Sequence, residues 1–399
     1  MIRSHTIRLY PTEIQENYFK QSCGVARFVY NWGLATWSKQ YKRGQRPNMY
    51  SVKKLFNQIK REAFPFVINV SKCVPEYALM NLNDAFQKLY KKQAGYPKFK
   101  KRKQNVGSFS ISNGRSYVRG NMLHFPKITE IKMAECLRFN GKIIKYTVSS
   151  KADKWFVSIS VEIPDEISKR SETQASIGID LGIKDTITLS DSRKFNLPDM
   201  WKENKRVLRL QRDLSRKQKG SENWKKNLMQ LQTAWYKLTC KKQDSIHKIT
   251  TEIAREFSFI AMENLNVEGM MKNRRLARAI ARQSFGEIKR QLAYKADYVF
   301  QVDRFFPSSK LCSSCGYKNN ELTLADREWV CPQCEAEHDR DVNAAKNILS
   351  EAIGKVTSVD SKSSVVMKAI NNNKTLVEAE TIESVSGAAN NSTHINILN

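Results

Sequence analysis

The chain has 399 residues, a hydrophobic content of 41%, and 68 Lys and Arg against 39 Asp and Glu, which gives a formal net charge of +29. An excess of this size has few uses other than binding a polyanion, and a nucleic acid is favoured over a membrane surface, which usually requires a basic amphipathic helix or an anchor. No stretch approaches the about 20 apolar residues of a membrane span, and the first residues lack the apolar core of a secretory signal. We therefore expect a cytoplasmic or nucleoid-associated protein of two or three domains with no membrane partner.

The first hundred residues are predicted to form one strand followed by helices. Apolar and polar residues alternate over 2–10 and stop at Pro11, which is typical of a short strand. Thr12 and Gln15 then form an N-cap signature, and apolar residues recur at helical spacing to about Lys92. These patterns predict a small helical segment that begins near residue 15.

A basic stretch with two aromatic residues ends this helical segment. Cations that alternate with rings suit a nucleic-acid strand, because amines face phosphates while rings stack on bases or sugars. A solvated basic loop is the alternative interpretation. The candidate contacts in this stretch are Tyr96, Lys98, Lys100, Lys101 and Arg102.

The middle of the chain changes from helical to strand patterns. Short alternating strands over 108–163 predict a small antiparallel barrel that the first strand completes. A polar linker over 164–175 separates it from a strand over 176–182 and a hairpin strand over 186–189. A long helical pair is predicted over 204–256, with a break at 219–221.

The apolar run over 257–262 is typical of a central strand buried on both faces. A basic segment over 271–278 follows, in which Arg274 and Arg275 are candidate nucleic-acid contacts, and a helix is predicted from Ser284. Past residue 350 no aromatic residue occurs and the Asn, Ser and Thr content rises, which predicts a mobile tail without a packed core.

Three carboxylates from distant parts of the chain have the pattern of a divalent-metal site. Asp180 lies inside a predicted strand, Glu263 at the end of a buried strand, and Asp341 at the start of a helix. Such carboxylates can hold two Mg²⁺ about 4 Å apart for phosphodiester hydrolysis, and oxygen ligands select Mg²⁺ or Mn²⁺ over Zn²⁺. Taken singly, each acid also has a structural interpretation as a turn or capping residue.

Two Cys-x-x-Cys pairs suit one tetrahedral zinc ion, because each pair is a tight turn that places two sulfurs on one side. Four thiolates close the coordination shell, so the zinc would be structural. His338 could replace one cysteine as a ligand, but the complete set of thiolates favours its interpretation as a bystander. The predicted ligands are Cys312, Cys315, Cys331 and Cys334.

In this combination of motifs the chain resembles the TnpB proteins of IS200/IS605-type transposons, relatives of the compact type V CRISPR effectors. The resemblance covers about 340 residues, and only the tail lies outside it. One departure is Glu335, which stands after Cys334 where Gly is common, and it puts the turn geometry of the hairpin in question. The matching segments are 8–12, 27–32, 94–100, 178–182, 263–267, 285–292, the cysteine pairs and 339–345.

The resemblance implies an α/β fold, an RNase H-like RuvC nuclease domain over 175–308 and 337–352. It also implies a wedge β-barrel over 1–14 and 105–170, and a helical recognition insert over 15–104. A zinc ribbon would occupy 309–336 and a disordered tail 353–399.

The resemblance further implies an RNA-guided DNA endonuclease that takes its guide RNA from the transposon end and cuts double-stranded target DNA beside a short flanking motif. Asp180, Glu263 and Asp341 would hold two Mg²⁺, and the four cysteines one Zn²⁺. Arg327, near the ribbon and the acids, is a candidate contact to the scissile strand or a salt-bridge partner. One chain or two would bind each RNA.

Two other functions remain open on the sequence alone. A nuclease-inactive RNA-guided DNA-binding repressor would share everything except cleavage. A DNA transposase uses the same acidic chemistry on the same kind of fold and would need no RNA.

Overall fold

The computed structural model describes residues 2–101, 107–112, 114–164, 175–323 and 325–359, which fall into two compact units. The first unit is Met1–Ile167 with Glu203–Lys237, and the second is Ser168–Lys202 with Leu238–Asn399. The described helices are α1 (Glu13–Lys42), α2 (Met49–Ala63), α3 (Cys73–Tyr90), α4 (Trp201–Ser215), α5 (Glu222–Glu256), α6 (Val267–Met270), α7 (Ala277–Gln283), α8 (Phe285–Lys295) and α9 (Arg340–Val359).

The first unit is built on a seven-stranded antiparallel sheet with the order β2-β6-β7-β1-β5-β4-β3. The first strand of the chain lies inside this sheet, between β7 and β5, as the alternation over 2–10 predicts. These strands are β1 (Ile2–Tyr10), β2 (Ser108–Ser112), β3 (Tyr117–Arg119), β4 (Met122–His124), β5 (Ile131–Met133), β6 (Lys142–Lys151) and β7 (Lys154–Glu162).

Helix α1 begins at the predicted cap. The Thr12 side chain accepts a hydrogen bond from the Gln15 amide, and the Gln15 side chain accepts one from the Thr12 amide, so the capping box is confirmed. The buried face of α1 includes Phe19, Val29 and Leu34, which belong to the same apolar core as the sheet. The first helices are therefore fixed to the sheet by burial of one apolar face.

The second unit is built on a five-stranded mixed sheet with the order β10-β9-β8-β11-β12. Strands β8, β11 and β12 are parallel, whereas β9 and β10 continue the sheet in antiparallel pairing. The strands are β8 (Ala175–Asp180), β9 (Ile187–Leu189), β10 (Lys194–Phe195), β11 (Phe257–Glu263) and β12 (Tyr298–Val302).

Strand β11 is covered on both faces, as its unbroken apolar run predicts. Ile260 and Met262 contribute to one apolar core, and Phe259 and Ala261 to another that includes Ile348 of α9. Alternate residues of a strand face opposite sides of a sheet, which accounts for this division.

Helix α9 packs unusually close to strand β8, and Gly178 permits this approach. A Cβ atom on Gly178 would lie 2.0 Å from the carbonyl oxygen of Ala345, a distance that no side chain can occupy. The position of α9 against the sheet therefore depends on a residue without a side chain.

Two boundaries differ from the predicted ones. The hairpin of β13 (Glu328–Val330) and β14 (Glu337–Asp339) runs directly into α9, past the predicted end of the ribbon at residue 336. Helix α9 continues to Val359, and Val356 is buried, so the predicted tail is wrong over 353–359. The residues from 360 onward lie outside the described part of the chain.

Candidate functional site

Three secondary-structure elements of the second unit bring the predicted acids together. Asp180 is the last residue of β8, Glu263 is the last residue of β11, and Asp341 lies in the first turn of α9. Because β8 and β11 are adjacent parallel strands, their final residues meet at the same edge of the sheet. All three acids are half-buried.

The environment of Asp180 favours the protonated acid. Burial of its carboxyl end, followed by the nearby charges of Glu263 and Asp341, raises the pKa of Asp180 to about 8. A bound cation would reverse this preference, since it supplies the opposite charge that the carboxylate lacks.

The capping role that the sequence left open for Asp341 belongs to Asp339 instead. Asp339 Oδ1 accepts hydrogen bonds from the amides of Asp341 and Val342 at 3.0 and 3.1 Å. Asp339 also accepts a hydrogen bond from Lys194 Nζ at 2.7 Å. The Asp341 carboxylate is therefore not needed to cap α9 and faces Arg327, whose Nη1 lies 3.3 Å from its Oδ2.

Glu263 has a side-chain partner that no sequence pattern indicates. The hydroxyl of Ser308 donates to Glu263 Oε1 at 2.5 Å, and Ser308 is only 4% exposed. Ser308 lies between β12 and the first cysteine pair, and a Ser in a loop carries no distinctive pattern. Only the three-dimensional arrangement identifies it.

The cysteine sulfurs form the compact cluster that the spacing predicts. The Sγ atoms of Cys312, Cys315, Cys331 and Cys334 lie within 4.8 Å of one another. Within the described ranges it is the one group of three or more His, Cys, Asp or Glu side chains whose ligand atoms all lie this close together, so the three acids are more widely spaced than the thiols.

Each cysteine pair sits in the same kind of tight turn. The amide of Gly316, after Cys315, donates to the Cys312 carbonyl, and the amide of Glu335, after Cys334, donates to the Cys331 carbonyl, both at 2.9 Å. Gly316 and Glu335 both have left-handed backbone, with φ of 78° and 59°. The departure at Glu335 therefore keeps the turn, with a non-glycine residue in a conformation that favours glycine.

His338, for which the sequence favours a bystander role, contacts the cysteine cluster. Its Nε2 lies 3.0 Å from Cys312 Sγ, and its ring packs against Trp329 at 4.8 Å between centroids. Burial raises the pKa of the Cys312 thiol, but hydrogen bonds from the amides of Cys315 and Ser314 and from His338 outweigh it, so the pKa is lowered. The thiolate form that a metal requires is thus favoured at this cysteine.

The candidate nucleic-acid contacts of the first unit lie on a segment that α1 holds in place. The Asn31 side chain donates to the Lys100 carbonyl at 2.9 Å and accepts from the Lys100 amide at 2.7 Å, and the Tyr96 hydroxyl pairs with the Ser38 hydroxyl at 2.9 Å. Lys98 and Lys101 are exposed. Arg102 lies outside the described residues.

Lys100 differs from its neighbours in this segment. Its ammonium group lies 3.9 Å from the centroid of the Tyr30 ring, and burial of the amine end lowers its pKa. This contact fixes the segment to α1.

The candidate contacts of the second unit are exposed. Arg274 and Arg275 lie in the turn between α6 and α7, and Arg327 precedes β13. Across the described residues, no helix is both long and apolar enough to cross a membrane.

The fold and the two clusters define a basic, mixed α/β protein with an acidic sheet edge and a four-cysteine cluster. Residues 158–274 match the family model OrfB_IS605, described as "Probable transposase", and residues 285–348 match "Cas12f1-like, TNB domain". Residues 1–46 match a model described as "Helix-turn-helix domain", although here they form one strand and one long helix.

Curated relatives match over nearly the whole chain. A Streptomyces pristinaespiralis protein named "Putative RNA-guided DNA endonuclease" is 35% identical over 362 residues, which are 88% of this chain and 89% of that protein. The Escherichia coli K12 protein "Putative RNA-guided DNA endonuclease InsQ" is 30% identical over 373 residues, which are 88% of this chain and 92% of that protein. A mimivirus relative, "TnpB-like protein L770", is 24% identical over 87% of this chain.

A solved Cas12f1–sgRNA–target DNA complex shares the fold, with a TM-score of 0.55 and 17% identity over 85% of this chain and 83% of that chain. The chain belongs to the TnpB family.

Proposed function

We propose that the protein is an RNA-guided DNA endonuclease that takes its guide from the transposon end and cuts both strands of a target next to a short flanking motif. The observation that carries the proposal is the convergence of Asp180, Glu263 and Asp341 at one edge of the second sheet. The names of the 35% and 30% identical relatives support the same activity.

The strand arrangement of the second unit supports an RNase H-like RuvC nuclease domain. In such a domain the first three strands pair antiparallel, and the fourth and fifth strands lie parallel to the first strand on its other side. Strands β8, β9 and β10, followed by β11 and β12, have this arrangement, with the order β10-β9-β8-β11-β12. The seven-stranded sheet of the first unit, with helices α1 to α3 inserted between β1 and β2, would be the wedge and recognition parts.

The donor set at the acidic edge fits Mg²⁺ or Mn²⁺. Carboxylate oxygens are the ligands these ions prefer, and three acids at one edge leave positions for water and phosphate oxygens. Two such ions, when bound, activate a water molecule and stabilise the departing oxygen of a phosphodiester.

The residues around the acids would orient the site and the substrate. Ser308 holds one oxygen of Glu263, and Asp339 caps α9 so that Asp341 is left to face the site. Arg327 would pair with a phosphate of the scissile strand after its guanidinium leaves Asp341.

The cysteine cluster fits one structural Zn²⁺. Four sulfurs within 4.8 Å of one another would complete the shell of one Zn²⁺ and leave no position for a substrate, so the ion would serve a structural role. The ribbon would then act by holding the loop between β12 and α9 in one conformation.

The positive charge suits the proposed partners. Sequence specificity in RNA-guided recognition comes from base pairing, while the protein binds the backbone of the duplex through many cations. Residues from 351 onward hold four Lys and five Asp and Glu, so the whole excess lies in the part of the chain that precedes them.

The test is to express the chain with the DNA that flanks its own gene, purify it in a magnesium chelator and sequence the bound RNA. One abundant RNA whose 3′ end reads into neighbouring DNA is expected, and it should direct magnesium-dependent cutting that Asp180→Ala abolishes without loss of target binding. Guided binding without cutting would indicate a repressor. DNA strand transfer that survives ribonuclease treatment would indicate a transposase.

A further inference from the structure

Ser308 is buried next to the acidic edge, and its hydroxyl donates a hydrogen bond to a carboxylate. The residue is 4% exposed, and its Oγ lies 2.5 Å from Glu263 Oε1. An ionised carboxylate only accepts hydrogen bonds, so the hydroxyl is the donor. The contact occupies one of the two carboxylate oxygens and leaves the other available to a cation.

The backbone of Ser308 is held by hydrogen bonds at both its amide and its carbonyl. The Ser308 amide donates to the Phe306 carbonyl at 2.9 Å, and the Ser308 carbonyl accepts from Asn347 Nδ2 at 2.7 Å. Asn347 is 7% exposed. The backbone of Ser308 therefore cannot shift away from Glu263 without breaking these contacts in a buried environment.

Asn347 belongs to a pair of buried amides on α9 that hold the segment leading into the cysteine cluster. Asn343 and Asn347 are four residues apart, hence on one face of the helix, and both donate to the Leu311 carbonyl at 2.7 Å. Asn343 Oδ1 also accepts from the Ser313 amide at 2.9 Å. The helix that carries Asp341 thus holds the segment that contacts Glu263.

We infer that Ser308 is a positioning residue, which fixes the Glu263 carboxylate for cation binding and ties it through Asn347 to the helix of Asp341. The inference rests on the proposed function, in which Glu263 and Asp341 bind the same cations. Two acids from elements far apart in sequence are in this way held at a set separation by one short segment.

The physical basis is the sensitivity of metal affinity to the partners of its ligands. A hydrogen bond from outside the coordination shell fixes the orientation of a ligating carboxylate, and its removal typically costs about 10- to 100-fold in metal affinity or activity. The other interpretation is that Ser308 only satisfies a buried polar group. Removal of the hydroxyl would then lower stability and leave cation affinity unchanged.

The experiment compares Mn²⁺ binding by the wild type and variants, purified with their RNA but without target DNA, and uses electron paramagnetic resonance of free Mn²⁺. Binding lost in Asp180→Asn identifies the ions at the acidic edge. Ser308→Ala is expected to weaken that binding about tenfold, and Ser308→Thr, which keeps the hydroxyl, to restore most of it. Zinc content should stay at the wild-type level in both.

Thr250→Val is the matched control for loss of a buried hydroxyl. Thr250 is 0% exposed, and its hydroxyl lies 2.7 Å from the Ile246 carbonyl, 2.8 Å from Gln291 Oε1 and 2.7 Å from Lys295 Nζ in the same unit, with no contact to an acid of the site. It should lower the melting temperature as Ser308→Ala does while Mn²⁺ binding is unchanged. Unchanged Mn²⁺ affinity in Ser308→Ala, or equal loss in Thr250→Val, would overturn the inference.

The result separates the inference from the proposed function, because it is measured without cleavage. Mn²⁺ that binds the wild type and depends on Ser308 supports the positioning role even if no guided cutting is seen. Guided cutting with Mn²⁺ affinity independent of Ser308 supports the function and rejects the role.

Discussion

Arg327 Nη1 and Asp341 Oδ2 lie 3.3 Å apart, so a cation of the ribbon hairpin faces the carboxylate that α9 presents to the acidic edge. Arg327 is half exposed, whereas Asp341 keeps only 16% of its side-chain surface in solvent. The guanidinium already neutralises part of the charge that would attract a metal ion to this carboxylate. The pair would therefore compete with divalent cations for Asp341.

Removal of Arg327 should make the acidic edge a better cation site. Partly exposed ion pairs contribute about 0.2–1 kcal/mol, so Arg327→Ala should tighten Mn²⁺ binding by up to about fivefold. Lys318→Ala removes an exposed cation of the same ribbon and should have no effect. If Arg327→Ala weakened Mn²⁺ binding instead, the guanidinium would be supporting the site rather than competing for it.

The protonation of Asp180 should make the stability of the metal-free protein depend on pH. Its pKa is about 8 in the folded protein and 3.8 in the unfolded reference. Between these values the folded state holds more protons, so the free energy of unfolding falls as the pH rises and levels off above pH 8. Asp180→Asn removes this dependence.

The measurement is the melting temperature of both proteins in chelator at pH 5 and pH 8. Asp180→Asn should be more stable relative to the wild type at pH 8 than at pH 5, by at least about 2 °C. Added Mg²⁺ should raise the melting temperature of the wild type at pH 8 more than that of the variant. Parallel pH curves for the two proteins would rule out a perturbed Asp180.

Loss of the cysteine cluster should reduce the activity of the acidic edge, although no cysteine belongs to that edge. Cys331→Ser leaves three thiols, and the segment that contains Ser308 and Cys312 then loses one of its two attachments. We expect substoichiometric zinc and guided cleavage reduced at least about tenfold, with RNA still bound. Cys240→Ser, an exposed cysteine outside the cluster, is the control. Full cleavage by a zinc-free protein would contradict the coupling.

Replacement of Glu335 by glycine should stabilise the ribbon. A non-glycine residue in left-handed backbone costs about 1 kcal/mol, and the φ of Glu335 is 59°. Glu335→Gly should slow zinc release to a chelator, whereas Gly316→Ala at the equivalent position of the other turn should accelerate it. Equal release rates in the two variants would mean that backbone conformation does not limit zinc retention.

Asn31 should matter for RNA binding although it is not itself a cation. Asn31→Ala removes both hydrogen bonds to the Lys100 backbone and should loosen the segment that carries Tyr96 and Lys98. We expect a loss of about two- to tenfold in RNA affinity, since an ordering cost is then added on binding. Asn57→Ala, which removes only a surface contact to Lys60, should bind RNA as the wild type does.

The fold was predictable where the pattern was local. The capping box at Thr12, the break before α5 at Gly220 and the doubly buried β11 all follow from residues that are adjacent in sequence. The end of α9 was not predictable, because burial of Val356 against the sheet, and not the local composition, stabilises its last turns.

Only the candidate ligands of the site could be named from the sequence. Carboxylates at strand ends and paired cysteines carry a chemical signature, whereas the Ser308 hydroxyl and the ring of His338 acquire their partners through contacts 45 and 26 residues away. No spacing rule connects such pairs. Glu335 stands where Gly is common, and the turn is kept because Glu335 adopts left-handed backbone.

Asp341 lies in the last described helix, about 160 residues after Asp180. During synthesis, the basic first unit emerges from the ribosome well before the third acid exists. A chain that is interrupted after the first unit but before α9 would lack Asp341 and therefore one of the three acids. With this order of elements, the proposed acidic site would be complete only after the first unit has been synthesised.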